Sequence, residues 1–104
     1  MATPDTTDCL PFLRALSDES RWEIVRLLIA STGTKHLGEI AERLGISNYN
    51  ASKHVRILKE AGILQVERNG RFKEISIVPA FLKRIRFRST SGILDLGCCR
   101  FDFK

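Results

Sequence analysis

The chain has 104 residues, of which 43% are hydrophobic and 28% are charged, a balance typical of one compact globular domain. It excludes a disordered chain, and the lack of any apolar run of about 20 residues predicts that no segment spans a membrane. The three cysteines, Cys9, Cys98 and Cys99, do not fit the disulfide framework of a secreted domain, so we expect reduced thiols and a cytoplasmic protein.

The net charge of +5 is concentrated in the middle of the chain. Residues 1–34 carry three basic and five acidic side chains, whereas residues 35–88 carry twelve basic and five acidic ones. Residues 89–104 are neutral. A basic region of this kind favours a polyanionic partner, either a nucleic acid or an anionic surface.

The first two predicted elements are helices that follow a flexible tail, residues 1–9. Apolar side chains in residues 10–16 suit a short helix with Pro11 in its first turn. Asp18 is a residue type that caps helix N-termini, and the run that follows it, residues 21–29, has a broad apolar face. We therefore expect a short helix and a second, largely buried one at the start of a domain over residues 10–88.

A helix-turn-helix unit is predicted next. Apolar residues at helical spacing indicate a short helix that begins near Leu37 and is closed by Gly45, and Ser47 can cap a longer helix over residues 48–61. A short helix, a three-residue turn with glycine and a longer helix form the unit that places its second helix in the DNA major groove. On that second helix, the apolar and the polar side chains lie on opposite faces.

Residues 64–77 predict a β-hairpin with Asn69 and Gly70 as its two turn residues, because a type I′ turn needs positive φ at both central positions. A basic hairpin after a helix-turn-helix unit is the wing of a winged-helix domain. Pro79 is expected to open a fifth helix with Ile85 in its apolar stripe, and residues 89–104 are expected to form an extended arm or a bulged strand.

Three stretches of the chain together resemble the ArsR/SmtB family of small dimeric bacterial repressors: residues 16–21, 37–47 and 52–64. The resemblance implies a mainly α fold with a β-hairpin wing and a homodimer formed through the terminal helices. It also implies a palindromic double-stranded DNA operator that is released when an effector binds. Many members hold a soft metal through two cysteines on the third helix, where this chain has His36 and Gly38.

The apolar surface of the terminal helices also favours a two-fold dimer, because it exceeds what so small a core needs. The side chains concerned are Phe12, Leu13, Phe81, Leu82 and Ile85.

The predicted DNA contacts fall on the start and the exposed side of the recognition helix and on the wing. Asn50 and Arg56 are the expected base readers, because asparagine pairs with adenine and arginine with guanine. The full set is Ser47, Asn48, Tyr49, Asn50, Ser52, Lys53, His54, Arg56, Arg68, Asn69, Arg71 and Lys73. Two alternatives stay open: His54 as a packed structural histidine, and the whole domain as a protein-interaction module without DNA binding.

The cysteines allow two interpretations. They can be small buried side chains, or Cys98 and Cys99 can hold trivalent arsenic or another soft metal ion with Cys9 as a third sulfur. Residues 93–99 also resemble the first motif of methyltransferases that use S-adenosylmethionine. Cys99 stands where that motif needs a glycine for close cofactor approach, so no enzyme is expected.

Overall fold

The computed structural model of the chain describes residues 10–30, 35–88, 91–95 and 100–103. Its helices are α1 (Leu10–Leu16), α2 (Glu19–Ala30), α3 (Leu37–Leu44), α4 (Asn48–Glu60) and α5 (Pro79–Leu82). Its strands are β1 (Lys35–His36), β2 (Leu64–Asn69), β3 (Phe72–Ile77), β4 (Ile85–Arg88), β5 (Ser91–Asp95) and β6 (Arg100–Phe103). None of the helices in these ranges combines the length and the apolar character that a bilayer crossing requires.

Short-range hydrogen bonds fix where three of the helices begin. The carboxylate of Asp18 accepts the backbone N–H of Arg21 at 3.1 Å at the start of α2, and the hydroxyl of Ser47 accepts the backbone N–H of Asn50 at 3.1 Å at the start of α4. The carboxylate of Glu39 reaches back to the backbone N–H of His36 at 3.0 Å and so closes the start of α3. The predicted caps at residues 18 and 47 are confirmed.

The turn between α3 and α4 is the predicted three-residue connection. Gly45 has a φ of 68°, the left-handed conformation that commonly ends a helix. The backbone N–H of the next residue, Ile46, donates to the carbonyl of Ala41 at 3.0 Å and satisfies the last turn of α3. The predicted helix-turn-helix unit is therefore confirmed.

The wing belongs to a three-stranded antiparallel sheet with the order β1-β3-β2. Asn69 pairs with Phe72, so the two loop residues are Gly70 and Arg71 rather than the predicted Asn69 and Gly70. Gly70, with a φ of 62°, occupies the first loop position, which needs positive φ in both common two-residue hairpin turns. The shift changes each cross-strand partner by two residues and therefore leaves every side chain on its predicted face.

One core joins α1 to α4, the first sheet and the start of α5. Its most deeply buried large side chains are Ile24, Val25, Ile40, Leu58, Ile63, Leu64, Ile75 and Phe81. Burial of a full aliphatic or aromatic side chain stabilises a fold by roughly 1.5–3 kcal/mol. These contacts hold the recognition helix and the wing as parts of one packed body.

The prediction for the fifth helix was wrong beyond its first turn. α5 ends at Leu82, and Ile85 begins β4, which pairs with β5, while β5 pairs with β6 in a second antiparallel sheet. The apolar and basic residues from Ile85 to Arg88 alternate, a period that suits a strand better than a helix. Phe81 is 1% exposed and belongs to the core, so it cannot contribute to a subunit interface as predicted.

Candidate nucleic-acid interface

The exposed side of α4 carries most of the predicted DNA contacts. Asn48, Asn50 and Arg56 are exposed, as is Tyr49, whose ring is 73% accessible. The ammonium of Lys53 lies 5.4 Å from the centre of the Tyr49 ring, which holds the two side chains together at the surface. Ala51, Val55 and Leu58 fix this orientation, because they bury the opposite face of the helix in the core.

His54 faces away from this surface towards the start of α2. Its Nδ1 lies 3.3 Å from a guanidinium nitrogen of Arg21 and 3.8 Å from a carboxylate oxygen of Asp18. The backbone N–H of Arg21 has the largest effect and lowers the pKa of Asp18. Burial opposes it, and the charges of Arg21 and His54 lower the pKa further. These contacts are those of a structural histidine, the alternative that the sequence left open, and they tie α4 to α2.

The wing has two faces of opposite charge. Arg68 and Lys73 are directly opposite each other across the hairpin, on the side that continues into the buried residues of the sheet. Glu67 and Glu74 are also directly opposite each other, on the other side. We name these pairs the basic face and the acidic face of the wing.

Two further wing residues were predicted to contact DNA. The side-chain amide of Asn69 donates to Glu74 at 3.2 Å, so Asn69 lies with the acidic face. Arg71 is exposed in the loop at the tip. Of the predicted wing contacts, Arg68 and Lys73 therefore lie together on one face, while Asn69 lies on the other.

A cleft of about 350 Å³ separates α4 from the wing, and we call it the wing cleft. Its polar rim is formed by Ser52, Arg56, Lys59 and Lys73. Its floor is formed by the side chains of Leu37, Val55, Val66 and Ile75. The cleft brings the predicted helix contacts beside the predicted wing contacts, and it adds Lys59, which was not predicted because a lysine in the last turn of a helix is common there without any ligand.

His36, which stands where many members of the resembled family have a metal-binding cysteine, is half-buried against the wing. The imidazole stacks on Phe72 of the wing with ring centres 4.6 Å apart and an interplanar angle of 11°. Its nitrogens approach Glu39 at 3.6 Å and Glu74 at 3.9 Å on separate sides of the ring. Within the part of the chain that the structure describes, no group of three histidine, cysteine or acidic side chains could hold a metal ion. Cys9, Cys98 and Cys99 lie outside the described residues.

Comparison with known proteins identifies the family. A family model described as a helix-turn-helix domain matches residues 16–67, half of the chain. An HTH-type transcriptional regulator of Bacillus subtilis, YceK, is 35% identical over 80 residues, which cover 69% of this chain and 80% of that protein. The chain belongs to this helix-turn-helix family.

Two further similar proteins extend the comparison. The chain is 28% identical to a probable mercury resistance operon repressor of Streptomyces lividans over 100 residues, 92% of this chain and 77% of that protein. The solved domain of a possible ArsR-family regulator from Mycobacterium bovis has the same fold, with a TM-score of 0.67, 22% identity and 81% of each chain covered. The chain is therefore a DNA-binding transcriptional regulator, and the alternative of a protein-interaction module without DNA is set aside.

Proposed function

We propose that this regulator represses transcription as a two-fold dimer on a palindromic operator and is not an enzyme. One observation carries the proposal: Ser52 and Arg56 of α4 and Lys73 of the wing, all predicted DNA contacts, line the two sides of one cleft. In this arrangement α4 enters the major groove with its N-terminal residues towards the bases. Lys73 and Arg68 then meet phosphates beside that groove.

The roles of the predicted contacts follow from their positions. Asn50 lies in the first turn of α4, where side chains reach base edges, and Arg56 lies two turns further along, on the flank that borders the wing cleft. Both remain our predicted base readers. Ser47, Ser52, Lys53 and the cations of the wing are predicted to contact the sugar-phosphate backbone.

The apolar surface of α1 and α5 supports the dimer. Leu10 and Leu82 are 40% and 41% exposed, and the rings of Phe12 and Phe81, 5.3 Å apart, join the two helices. The related Mycobacterium bovis domain is homodimeric. Two copies that pair through this surface would present two α4 helices to half-sites about one DNA turn apart.

Two measurements test the proposal: selection of bound sequences from a random DNA pool, and light scattering of the free protein. We expect a palindromic sequence and the mass of two subunits. A selected sequence without two-fold symmetry, or the mass of one subunit at micromolar concentration, would contradict the dimeric part. A reporter gene that follows the selected operator should then fall in expression when the protein is present.

A second candidate function, the sensing of a soft metal ion by sulfur, is favoured by the similarity to the mercury resistance repressor over nearly the whole chain. Cys98 and Cys99 would bind the ion as thiolates with Cys9 as a third ligand, and each thiol would release its proton on binding. Binding should therefore strengthen as the pH rises towards the ordinary thiol pKa of about 8.5. Mercuric ion or arsenite should release DNA from the wild-type protein and not from a variant with Cys98→Ser and Cys99→Ser.

A further inference from the structure

The wing cleft has the chemistry of a small-molecule site as well as of a DNA surface. We infer that it binds a small organic anion with an apolar body, and that the bound anion competes with operator DNA. The binding stands on the cleft alone, whereas the competition rests on the proposed function.

The rim of the cleft carries three cations. Among the residues that the structure describes, Arg56, Lys59 and Lys73 form no ion pair. Glu39 interacts with Lys35 and His36, and Glu67 and Glu74 lie on the opposite face of the sheet. Glu60, which follows Arg56 by four residues on α4, forms no ion pair with a described residue. Three like charges at one rim repel one another, and an anion bound between them would relieve that repulsion.

The floor of the cleft favours a ligand with an apolar body attached to its anionic group. Val55 and Ile75 are already buried, so the apolar surface that a ligand could cover comes from Leu37 and Val66, which are half-buried. A hydrated inorganic ion gains nothing from such a floor, whereas an aromatic or aliphatic body gains free energy from each apolar contact. The volume of about 350 Å³ lies at the lower end of the range for small-molecule sites, which indicates a ligand of one or two rings.

Occupation of the cleft would oppose DNA binding through the same cations. Arg56 and Lys73 are predicted DNA contacts, and an anion held between them neutralises the charge that attracts phosphate. Both sides of the cleft are also parts of the proposed interface, so a bound body would fill the space through which the DNA backbone passes. A ligand of this class would therefore act as an inducer without any change in fold.

The binding is tested with the full chain, free of DNA, by titration with 2-naphthoate and with the uncharged 2-naphthamide as the matched probe. Amide chemical shifts in nuclear magnetic resonance spectra report the location. We expect 2-naphthoate to shift residues 52–59 and 66–75 and to bind at least about fivefold more tightly than the amide, because only the anion pairs with the rim. Equal affinities, shifts confined to other regions, or no binding in the millimolar range would overturn the inference.

A matched pair of charge reversals locates the anion. Lys59→Glu alters the rim, whereas Arg71→Glu makes the same charge change at the wing tip outside the cleft. We expect Lys59→Glu to weaken 2-naphthoate binding about fivefold and Arg71→Glu to change it by less than about twofold, because solvent and salt screen the more distant charge. Equal effects of the two substitutions would overturn the assignment, and thermal melts verify that both variants fold.

The competition is measured separately, with the selected operator and increasing 2-naphthoate. The apparent Kd for DNA should rise with 2-naphthoate and not with 2-naphthamide. Binding of 2-naphthoate without any rise in the apparent Kd for DNA would overturn the competition but not the inferred binding site. A protein that binds 2-naphthoate and no DNA would instead overturn the proposed function, so the two failures are distinguishable.

Discussion

Removal of one cation from the basic face of the wing should change the salt dependence of DNA binding by a calculable amount. Lys73 lies opposite Arg68 in the hairpin and lines the wing cleft beside Arg56. If its ammonium neutralises one phosphate, Lys73→Gln removes one released counterion and lowers the slope of log K against log salt by about 0.9. From about 50 mM to about 200 mM salt, the advantage of the wild type over the variant should then shrink roughly 3.5-fold.

The same substitution, which is expected to weaken DNA binding, should stabilise the fold of the free protein. Directly opposed like charges destabilise a pair of strands, so removal of the Lys73 charge relieves its repulsion with Arg68. We expect the free energy of unfolding to rise by about 0.5 kcal/mol while DNA affinity falls. A variant that loses DNA affinity because it is misfolded would instead show a lower free energy of unfolding than the wild type.

Fluorescence anisotropy over a series of salt concentrations provides the measurement, and Arg26→Gln is the matched control. Arg26 is an exposed cation on α2 that pairs with Glu23 at 3.1 Å, far along the chain from both α4 and the wing. The control removes the same charge and should leave the slope unchanged. Equal slopes for the wild type and Lys73→Gln, or equal decreases in both variants, would show that Lys73 does not contact phosphate.

Substitutions at three further positions test the recognition helix, a helix cap and the hairpin turn. Asn50→Ala should weaken specific binding by about 1–3 kcal/mol and relax one operator position in a sequence selection. Asp18→Ala should lower the free energy of unfolding by about 1 kcal/mol at neutral pH. The pKa of Asp18 is lowered in the folded state, so this stabilisation is present above the ordinary aspartate pKa of about 4 and is lost as the pH falls through the lowered pKa. Denaturation curves of the wild type and of Asp18→Ala should therefore converge in acid. Gly70→Ala should lower the melting temperature, at a cost of roughly 1–2 kcal/mol for a left-handed alanine, and Gly70→Asn should lower it less.

Each of these expectations has a distinct contrary result. An unchanged operator preference would remove Asn50 from the base readers. A stability difference at residue 18 that stays constant from neutral to acidic pH would show that its carboxylate charge contributes nothing. Equal melting temperatures for the alanine and asparagine variants at residue 70 would show that the backbone there is not held in the left-handed region.

The helix-turn-helix unit could be predicted because its determinants are local. Gly45 and Ser47 act within one turn of their own positions, and the spacing of apolar residues sets the buried face of α4. β1 was not predicted, since two residues are too few to show alternation and its pairing partner lies about forty residues further along. The extent of α5 could not be predicted from Pro79, because a proline permits a helix to begin without making the helix continue.

Only part of the candidate site could be predicted from the sequence. Exposure of the polar side of α4 follows from its periodicity, but the wing cleft is formed by α3, α4 and two strands and has no signature in any one of them. The two charged faces of the wing follow from strand alternation, but the direct pairing of Arg68 with Lys73 and of Glu67 with Glu74 depends on the register that the turn at Gly70 sets. The packing of His54 against Asp18 and Arg21 likewise depends on a contact between distant segments.

The two charged faces make the wing an electric dipole directed across the thickness of its sheet. In the field of a DNA duplex such a dipole experiences a torque that turns Arg68 and Lys73 towards the phosphates and Glu67 and Glu74 away from them. The torque acts within the screening distance of about 8–10 Å at physiological salt, before most short-range contacts form. In the proposed complex the acidic residues thus raise the rate of correctly oriented encounters, although they lie on the face of the wing directed away from the phosphates.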